Sequence, residues 1–434
     1  MATTKYSHAF LVGSFNGEIK PWMLDNDTQN WIKEIIPSSP LENEKRYERD
    51  KGYHGLCTIY YKAHLDAMLE AQDVIRPEFL NSVHHYIHEI ENIKTDNKDD
   101  HLITLSIKKG KFPNLALYEY TFKLCRLHLF FFPLDIVLFA IEIDDTGTEL
   151  DNLTAAHSSL MGYWDADSFG NKKLAELMMP LTKYLDKNNY SRLTKDGNKL
   201  KIFQTVKIQT SVIEDELLYE IGTSSPIGCV KDGKRPDMKP AEPYFNKIID
   251  ENSVATFDNW KGLALVDSFT MLGKEDSFDK NDCNYLYFPL IYLRCIFEKT
   301  FCFSRNNAYR EDKHNRNLSR EITMMEKYYF YDNISYNFQP NLLYKTMVKG
   351  LGLKEEREEL SKQIKEKDEK NRDIILAMVS GFAIFSIVFD LYSIIIAAMG
   401  VPKEGIYWLA QLLIAVGLLI SIILGYVFFS HRRV

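Results

Sequence analysis

Over the first 284 residues, apolar and polar positions alternate in short runs that predict strands. His8–Ser14, Gly55–Tyr61, His101–Ile107, Ala116–Phe122, Ile136–Ile143, Lys201–Ile208 and Leu263–Ser268 are rich in β-branched and aromatic residues, which suit a pleated, half-buried surface. Apolar residues return at helical spacing in Asn26–Ile36, Pro77–Ile93, Leu150–Trp164 and Asn171–Leu185, which predicts helices there. Thr223–Pro243 holds Pro226, Pro236, Pro240 and Pro243 and reads as a loop. Tyr285–Asn307 and Asn315–Tyr331 read as further helices, with Phe288, Tyr292, Cys295 and Phe297 fitting the apolar side and a turn around Asn333–Pro340.

The pattern then changes. Lys354–Arg372 (KEEREELSKQIKEKDEKNR) is dominated by Glu and Lys, with only Leu360 and Ile364 apolar. Its opposite charges recur at helical spacing, Glu358–Lys362 being a favourable i,i+4 pair. From Ile374 to Phe429 only Asp390, Lys403 and Glu404 are charged. Ile374–Met399 and Ile406–Phe429 are each about 36–39 Å long as helices, enough for a hydrocarbon core of about 30 Å. Gly400–Gly405 between them is turn-length and contains Pro402, so the two helices form an antiparallel hairpin. One helix is expected to run from Leu353 to Met399, with Gly350 and Gly352 as a joint before it. The predicted fold class is an α/β (α+β) cytoplasmic domain, a long α-helical stalk and a two-helix transmembrane hairpin.

Charge sets the orientation. Lys365, Lys367, Lys370 and Arg372 precede the first membrane helix, and His431, Arg432 and Arg433 follow the second. Basic residues mark the cytoplasmic side, so the chain is expected to be multi-pass in the cell inner membrane with both termini cytoplasmic. Tyr407 and Trp408 suit the outer interface and Tyr426 the inner one. A net charge of −7 with no basic block excludes a nucleic-acid partner. Six scattered cysteines without a C-x-x-C pair suit a reducing compartment.

Candidate chemistry is concentrated in the hairpin. Ser386, Asp390 and Ser393 share a helix face, and intramembrane carboxylates mark ion paths; a structural hydrogen bond from Asp390 to Gln411 or Tyr407 is the alternative. Gly417, Ser421 and Gly425 recur every four residues, a stripe that lets another helix approach closely. Elsewhere, His84 and His88 on a helix face near Glu91 form the best metal-like group, against the reading of an ordinary amphipathic helix. Arg126 and His128, beside Phe130–Phe132, suit either a phosphate contact or a core strand. Walker A, G-x-G-x-x-G and G-x-S-x-G motifs are absent from the sequence, so no enzymatic activity is expected.

The long helix entering the first span, the very short outer loop and the basic C-terminal end Tyr426–Val434 (YVFFSHRRV) resemble the CorA-type divalent cation transporters over about Leu353–Val434. That resemblance implies a homo-oligomer, pentameric in the family, whose first membrane helix lines a pore. It places Asp390, Ser386, Ser393 and Met399 on that pore and Glu404 in the outer loop. At the family's Gly-Met-Asn signature this chain reads Ala398-Met399-Gly400; the asparagine that holds a hydrated cation is missing. The chain is similar to the divergent CorA-like effectors of type III CRISPR systems, which implies gating by a nucleotide second messenger such as an adenosylmethionine–AMP conjugate, in antiviral defence. A divalent (Mg-type) cation transporter and a membrane-tethered, nucleotide-acting enzyme are the alternatives. A divalent cation and a nucleotide are the implied ligands. Residues 1–284 would be the ligand-sensing domain, 285–372 the helical region and stalk, 373–399 and 406–429 the membrane helices, 400–405 the outer loop and 430–434 the basic tail.

Overall fold

Ile136–Asp145 reads IVLFAIEIDD, and nine of its ten residues are buried. A strand that is apolar on both faces has to be covered on both. The surrounding architecture does this. The computed structural model describes residues 4–15, 33–36, 84–89, 102–107, 118–132, 134, 136–145, 149–161, 200–231, 236–278, 287–288, 291–310, 318–330, 334 and 338–399. The expected elements Gly55–Tyr61 and Asn171–Leu185, and the second membrane helix, lie outside these residues.

The described strands are β1 (Thr4–Phe15), β2 (Lys33–Ile36), β3 (His84–Glu89), β4 (Leu102–Ile107), β5 (Tyr118–Phe132), β6 (Ile136–Asp145), β7 (Lys201–Ile208), β8 (Ser253–Phe257), β9 (Trp260–Leu265) and β10 (Ser268–Gly273). They form one sheet in the order β2-β3-β5-β6-β1-β7-β10-β9-β8, with β4 also on β5. β7 and β10 pair in parallel and the other described pairs are antiparallel. The helices are α1 (Leu150–Leu160), α2 (Asp215–Gly222), α3 (Glu242–Asn252), α4 (Leu293–Arg310), α5 (Leu318–Tyr328), α6 (Phe338–Gly350) and α7 (Leu353–Ala398). The fold is therefore a mixed α and β domain with additional helices, one of them long and apolar.

Period-two alternation assigns each strand's residues to two faces. One face carries Leu11, Phe139, Ile141, Ile202 and Val206, packed with Leu153, Ala156, Leu218 and Ile221 of α1 and α2. The other is aromatic. Phe10 stacks on Phe288 at 3.7 Å, Phe203 lies 5.4 Å from Tyr292, and Phe132 stacks on Phe297 at 4.6 Å. Each such ring, fully buried, contributes about 1.5–3 kcal/mol of transfer free energy. The loop after α2 is held by Glu220, which accepts from the amides of Gly228 (2.9 Å) and Val230 (2.8 Å).

The chain divides into two compact units, Met1–Phe301 with Glu326–Lys354 and Cys302–Met325 with Glu355–Val434. Within the first, α6 lies along β9. Gly350, its last residue, abuts the backbone of Ala264, and Lys299 Nζ donates to the carbonyl of Leu351 at 2.6 Å. Gly352 then turns the chain at φ 69°, a conformation that favours glycine, and α7 starts at Leu353. In the second unit, Arg305 pairs with Glu321 at 2.7 Å. The unbroken helix expected from Leu353 is present as α7, 46 residues long.

Several expectations are corrected. Pro77–Ile93 is not a helix across its described part: His84–Glu89 is strand β3, paired with β5. Lys33–Ile36, expected to end a helix, is strand β2. Ladder pairing in a wide sheet overrides the helical spacing of the apolar residues in both. Leu263–Ser268 is not one strand but a hairpin, β9 and β10 turning at Val266–Asp267. The strand expected to end at Phe122 runs on to Phe132, and the helix expected from Tyr285 becomes α-helical at Leu293. The helix from Leu150 ends at Leu160, and the turn expected to reach Pro340 gives way to α6 at Phe338.

Candidate functional site

Three places in the chain carry polar chemistry in settings that need explaining. The first is α7. Twelve large apolar side chains between Ile374 and Met399 are exposed, and Arg372–Ile395 is long and apolar enough to cross a membrane, with none of its most apolar window buried. Among the described residues it is the one helix that meets this test. Ser386, Asp390, Ser393 and Met399 are exposed on it, and the Ser393 hydroxyl donates back to the Asp390 carbonyl at 2.7 Å. That local bond occupies the Ser393 proton without engaging the Asp390 carboxylate, and Ser386 lies one turn before it. Glu404, Gly417, Ser421 and Gly425 lie outside the described residues.

The second place is a charged cluster on the aromatic face of the sheet. Strand β5 holds Arg126 and His128, β6 Glu142 and Asp144, and β1 His8, neighbours set by the antiparallel register. His128 Nε2 lies 3.0 Å from Glu142 Oε2. Arg126 Nη1 approaches the same oxygen at 3.5 Å, and His8 Nε2 lies 3.5 Å from Oε1. His8 Nδ1 pairs with Asp144. Phe10 stands edge-on to both histidine rings and is covered by Phe288. Burial pushes the Glu142 carboxyl upward, but the hydrogen bond with His128 and the neighbouring His128, His8 and Arg126 outweigh it and hold the group below the ordinary carboxylate range. Its charges answer one another behind a layer of rings, and this arrangement locks three strands together.

His128 thus sits in a core strand. The phosphate contact considered for Arg126 and His128 gives way to Glu142, which takes up both. Sequence reasoning missed His8, Glu142 and Asp144. The available signal was an acid inside IVLFAIEIDD: in a strand buried on both faces, a carboxylate needs cationic partners. The histidines of β3 do not share a helix face, since their segment is extended. Among the described residues, no group of three or more His, Cys, Asp or Glu side chains is placed to hold a metal ion.

On the opposite face, fully buried His157 lies with its Nδ1 2.7 Å from Gln204 Oε1, and Gln204 Nε2 donates to Thr270 Oγ1 (2.8 Å) and the Ile221 carbonyl (3.1 Å). Burial holds His157 down at about 4, from an ordinary 6.5, against an upward pull from Gln204. A base depressed in the folded state is protonated first in the unfolded chain, so its stability contribution is present above pH 6.5 and is lost as pH falls towards 4. The loss amounts to about 3 kcal/mol over that window. Thermal midpoints measured across it should fall for the parent and fall less for His157→Gln, which keeps a donor to Gln204 without the titration. The loss tied to Glu142 comes at lower pH, as the acid passes through its depressed folded value.

The third place is a cleft of about 460 Å³ where the β8–β9 turn meets the start of α6. Asp258 and Asn259 form the turn, with Phe257 and Trp260 facing each other across the ladder. Met271, Ser277, Phe278, Tyr287 and Gln339 complete the wall among the described residues. Trp260, Phe278 and Tyr287 are buried, whereas Phe257 is 55% exposed. Gln339 Nε2 donates to the Tyr287 hydroxyl at 3.1 Å. Asn259 Oδ1 is buried without a hydrogen-bond partner among the described residues. Its residues come from parts of the sequence as far apart as Phe257 and Gln339, which is why no local pattern announced it.

The chain matches no protein-family model, no curated protein and no solved structure.

Proposed function

We propose that this chain is a CorA-like membrane channel or effector: a homo-oligomer whose cytoplasmic domain senses a small nucleotide and whose α7 helices line the ion path. The observation that carries the reading is α7 itself, a single unbroken helix that begins in a charged segment and ends in an apolar stretch whose most apolar window is not buried. Each large apolar side chain there is worth about 1.5–3 kcal/mol when removed from water. Twelve of them cannot stay bare, and lipid covers them in the proposed state.

With the second apolar stretch, Ile406–Phe429, the helix makes a hairpin across the cell inner membrane with both termini in the cytoplasm. One hairpin encloses no pore, so the reading requires several copies, five by the CorA resemblance, with Gly417, Ser421 and Gly425 on a packing seam. Asp390 from each copy then forms an acidic ring that favours cations, Ser386 and Met399 line the same path and Glu404 stands at its mouth. The absence of asparagine after Met399 favours an effector over a Mg²⁺ transporter. The test is the mass of the detergent-solubilised protein, expected near five times the 50.5 kDa chain. A monomer would refute the channel and favour a membrane-tethered enzyme.

A further inference from the structure

We infer that Gly350–Leu351–Gly352, the link between α6 and α7, is a rigid elbow, and that Lys299 is the residue that locks it. Two glycines in three residues ordinarily loosen a chain, since each adds backbone freedom. The structure employs both glycines otherwise. Gly350 lets α6 close onto β9, where an added Cβ would meet the Ala264 carbonyl oxygen at 2.3 Å. Gly352 holds φ 69°, the left-handed turn that ends many helices. Its amide donates to the Lys349 carbonyl at 3.0 Å, and that of Leu351 donates to Met347 at 2.9 Å. Leu351 and Leu353, on either side of Gly352, are fully buried. A hinge needs flanking side chains that can leave their contacts, and close packing denies both leucines that freedom.

Lys299 closes the elbow from a third element, the second turn of α4. The carbonyls at the end of a helix have no partner within it, and the helix dipole favours a cation there. The Lys299 ammonium donates to the Leu351 carbonyl at 2.6 Å and to the Val266 carbonyl at 3.4 Å. Val266 belongs to the β9–β10 turn, and that turn is itself fastened. The amide of Ile202 in β7 donates to the Asp267 carbonyl at 2.9 Å, and Lys201 pairs with the Asp267 carboxylate. One side chain thus joins β7, through the turn, to the last residues before α7.

The consequence is mechanical. A displacement of the β9–β10 turn reaches Leu353 instead of being absorbed at the glycines, because every link between them is a close contact. Without the ammonium the Leu351 carbonyl loses a charged donor in a part-buried place, and the two glycines regain the freedom of their type. Lys299 is therefore a positioning residue whose hydrogen bond decides between strut and hinge. The inference goes beyond the proposed function, since it concerns the elbow alone and requires neither a ligand nor conduction.

The test is hydrogen–deuterium exchange on the full-length protein in detergent, read on peptides covering Lys345–Lys354. In the parent, the Leu351 and Gly352 amides should exchange as slowly as those of β7. Lys299→Met keeps the apolar stem and removes the donor. It should speed exchange in this segment about tenfold or more, the change expected from losing a hydrogen bond to a charged group, while β1 and β6 exchange as in the parent. Lys299→Arg, which keeps a cationic donor, should recover slow exchange. Fast exchange of the Leu351 and Gly352 amides in the parent would show a hinge and overturn the inference, whether or not any variant folds. Equal exchange in Lys299→Met and parent, or acceleration spread evenly over β1 and β6, would overturn the role given to Lys299. Failure here leaves the Asp390 flux result untouched, and absence of conduction leaves the exchange result untouched.

Discussion

Replacing Asp390 with asparagine should lower cation flux through reconstituted liposomes about tenfold or more, because a carboxylate about 5 Å from a passing cation contributes about 1–3 kcal/mol at effective dielectric constants of about 20–80. Asparagine keeps the shape and removes the charge, so insertion and assembly should be unchanged. The geometry of α7 makes the substitution informative. Asp390 is exposed on a helix that the rest of the described chain does not cover. The neighbouring Ser393 hydroxyl is occupied by the Asp390 carbonyl and does not neutralise the carboxylate. A charge in this setting carries a desolvation cost of about 2.5–3.5 kcal/mol against insertion, so a structural role alone would make asparagine the better residue. Equal conduction by parent and Asp390→Asn would turn the carboxylate into a hydrogen-bonding partner of Gln411 or Tyr407 and move the path elsewhere.

Gly350→Ala should destabilise the soluble domain by about 1–3 kcal/mol, the range for overpacking a close contact. A methyl group at this position would lie 2.3 Å from the Ala264 carbonyl oxygen and 2.5 Å from both its carbon and its Cβ. Two of those atoms are backbone of β9 and have no rotamer to escape into. Alanine gains at most about 1 kcal/mol of helix propensity over glycine, less at the last residue of a helix, so the clash wins. Thermal unfolding in detergent measures the loss. Gly381→Ala is the matched control, since nothing lies within 4 Å of its added methyl. An unchanged midpoint for Gly350→Ala would mean that α6 is free to slide on β9 at this contact.

Where the sequence was informative, the reason is local. Lys201–Ile208 is rich in β-branched residues and forms β7 with those bounds. The stalk was legible because nothing in Leu353–Arg372 interrupts a helix and its charges recur at helical spacing. Other elements hid behind misleading signals. Phe-Gln-Pro at the start of α6 reads as a breaker, yet Pro340 sits in the first turn, where its missing N–H has no intrahelical role. The turn between β9 and β10 is Val266–Asp267, without the Asn-Gly or Asp-Gly signal that marks most tight hairpins. Helix α2 spans only eight residues, too short for periodicity to emerge.

The functional residues divide in the same way. Asp390 stands out in sequence because a lone carboxylate in an apolar run is conspicuous. The charged cluster needs the register of three strands before His8 meets Glu142 and Asp144. The cleft needs the whole order of the sheet edge, since Trp260, Phe278 and Gln339 are brought together only by tertiary packing.

In the proposed membrane form, one helix carries the chain from an α and β domain into the bilayer and the hairpin returns it to the same side. Cysteine accessibility tests this directly. In intact cells Val401→Cys should label with a membrane-impermeant thiol reagent, and Val434→Cys should label only after the membrane is opened. Labelling of Val434→Cys in intact cells with Val401→Cys protected, or labelling of neither in a chain that leaves the membrane fraction in alkaline carbonate, would contradict the account.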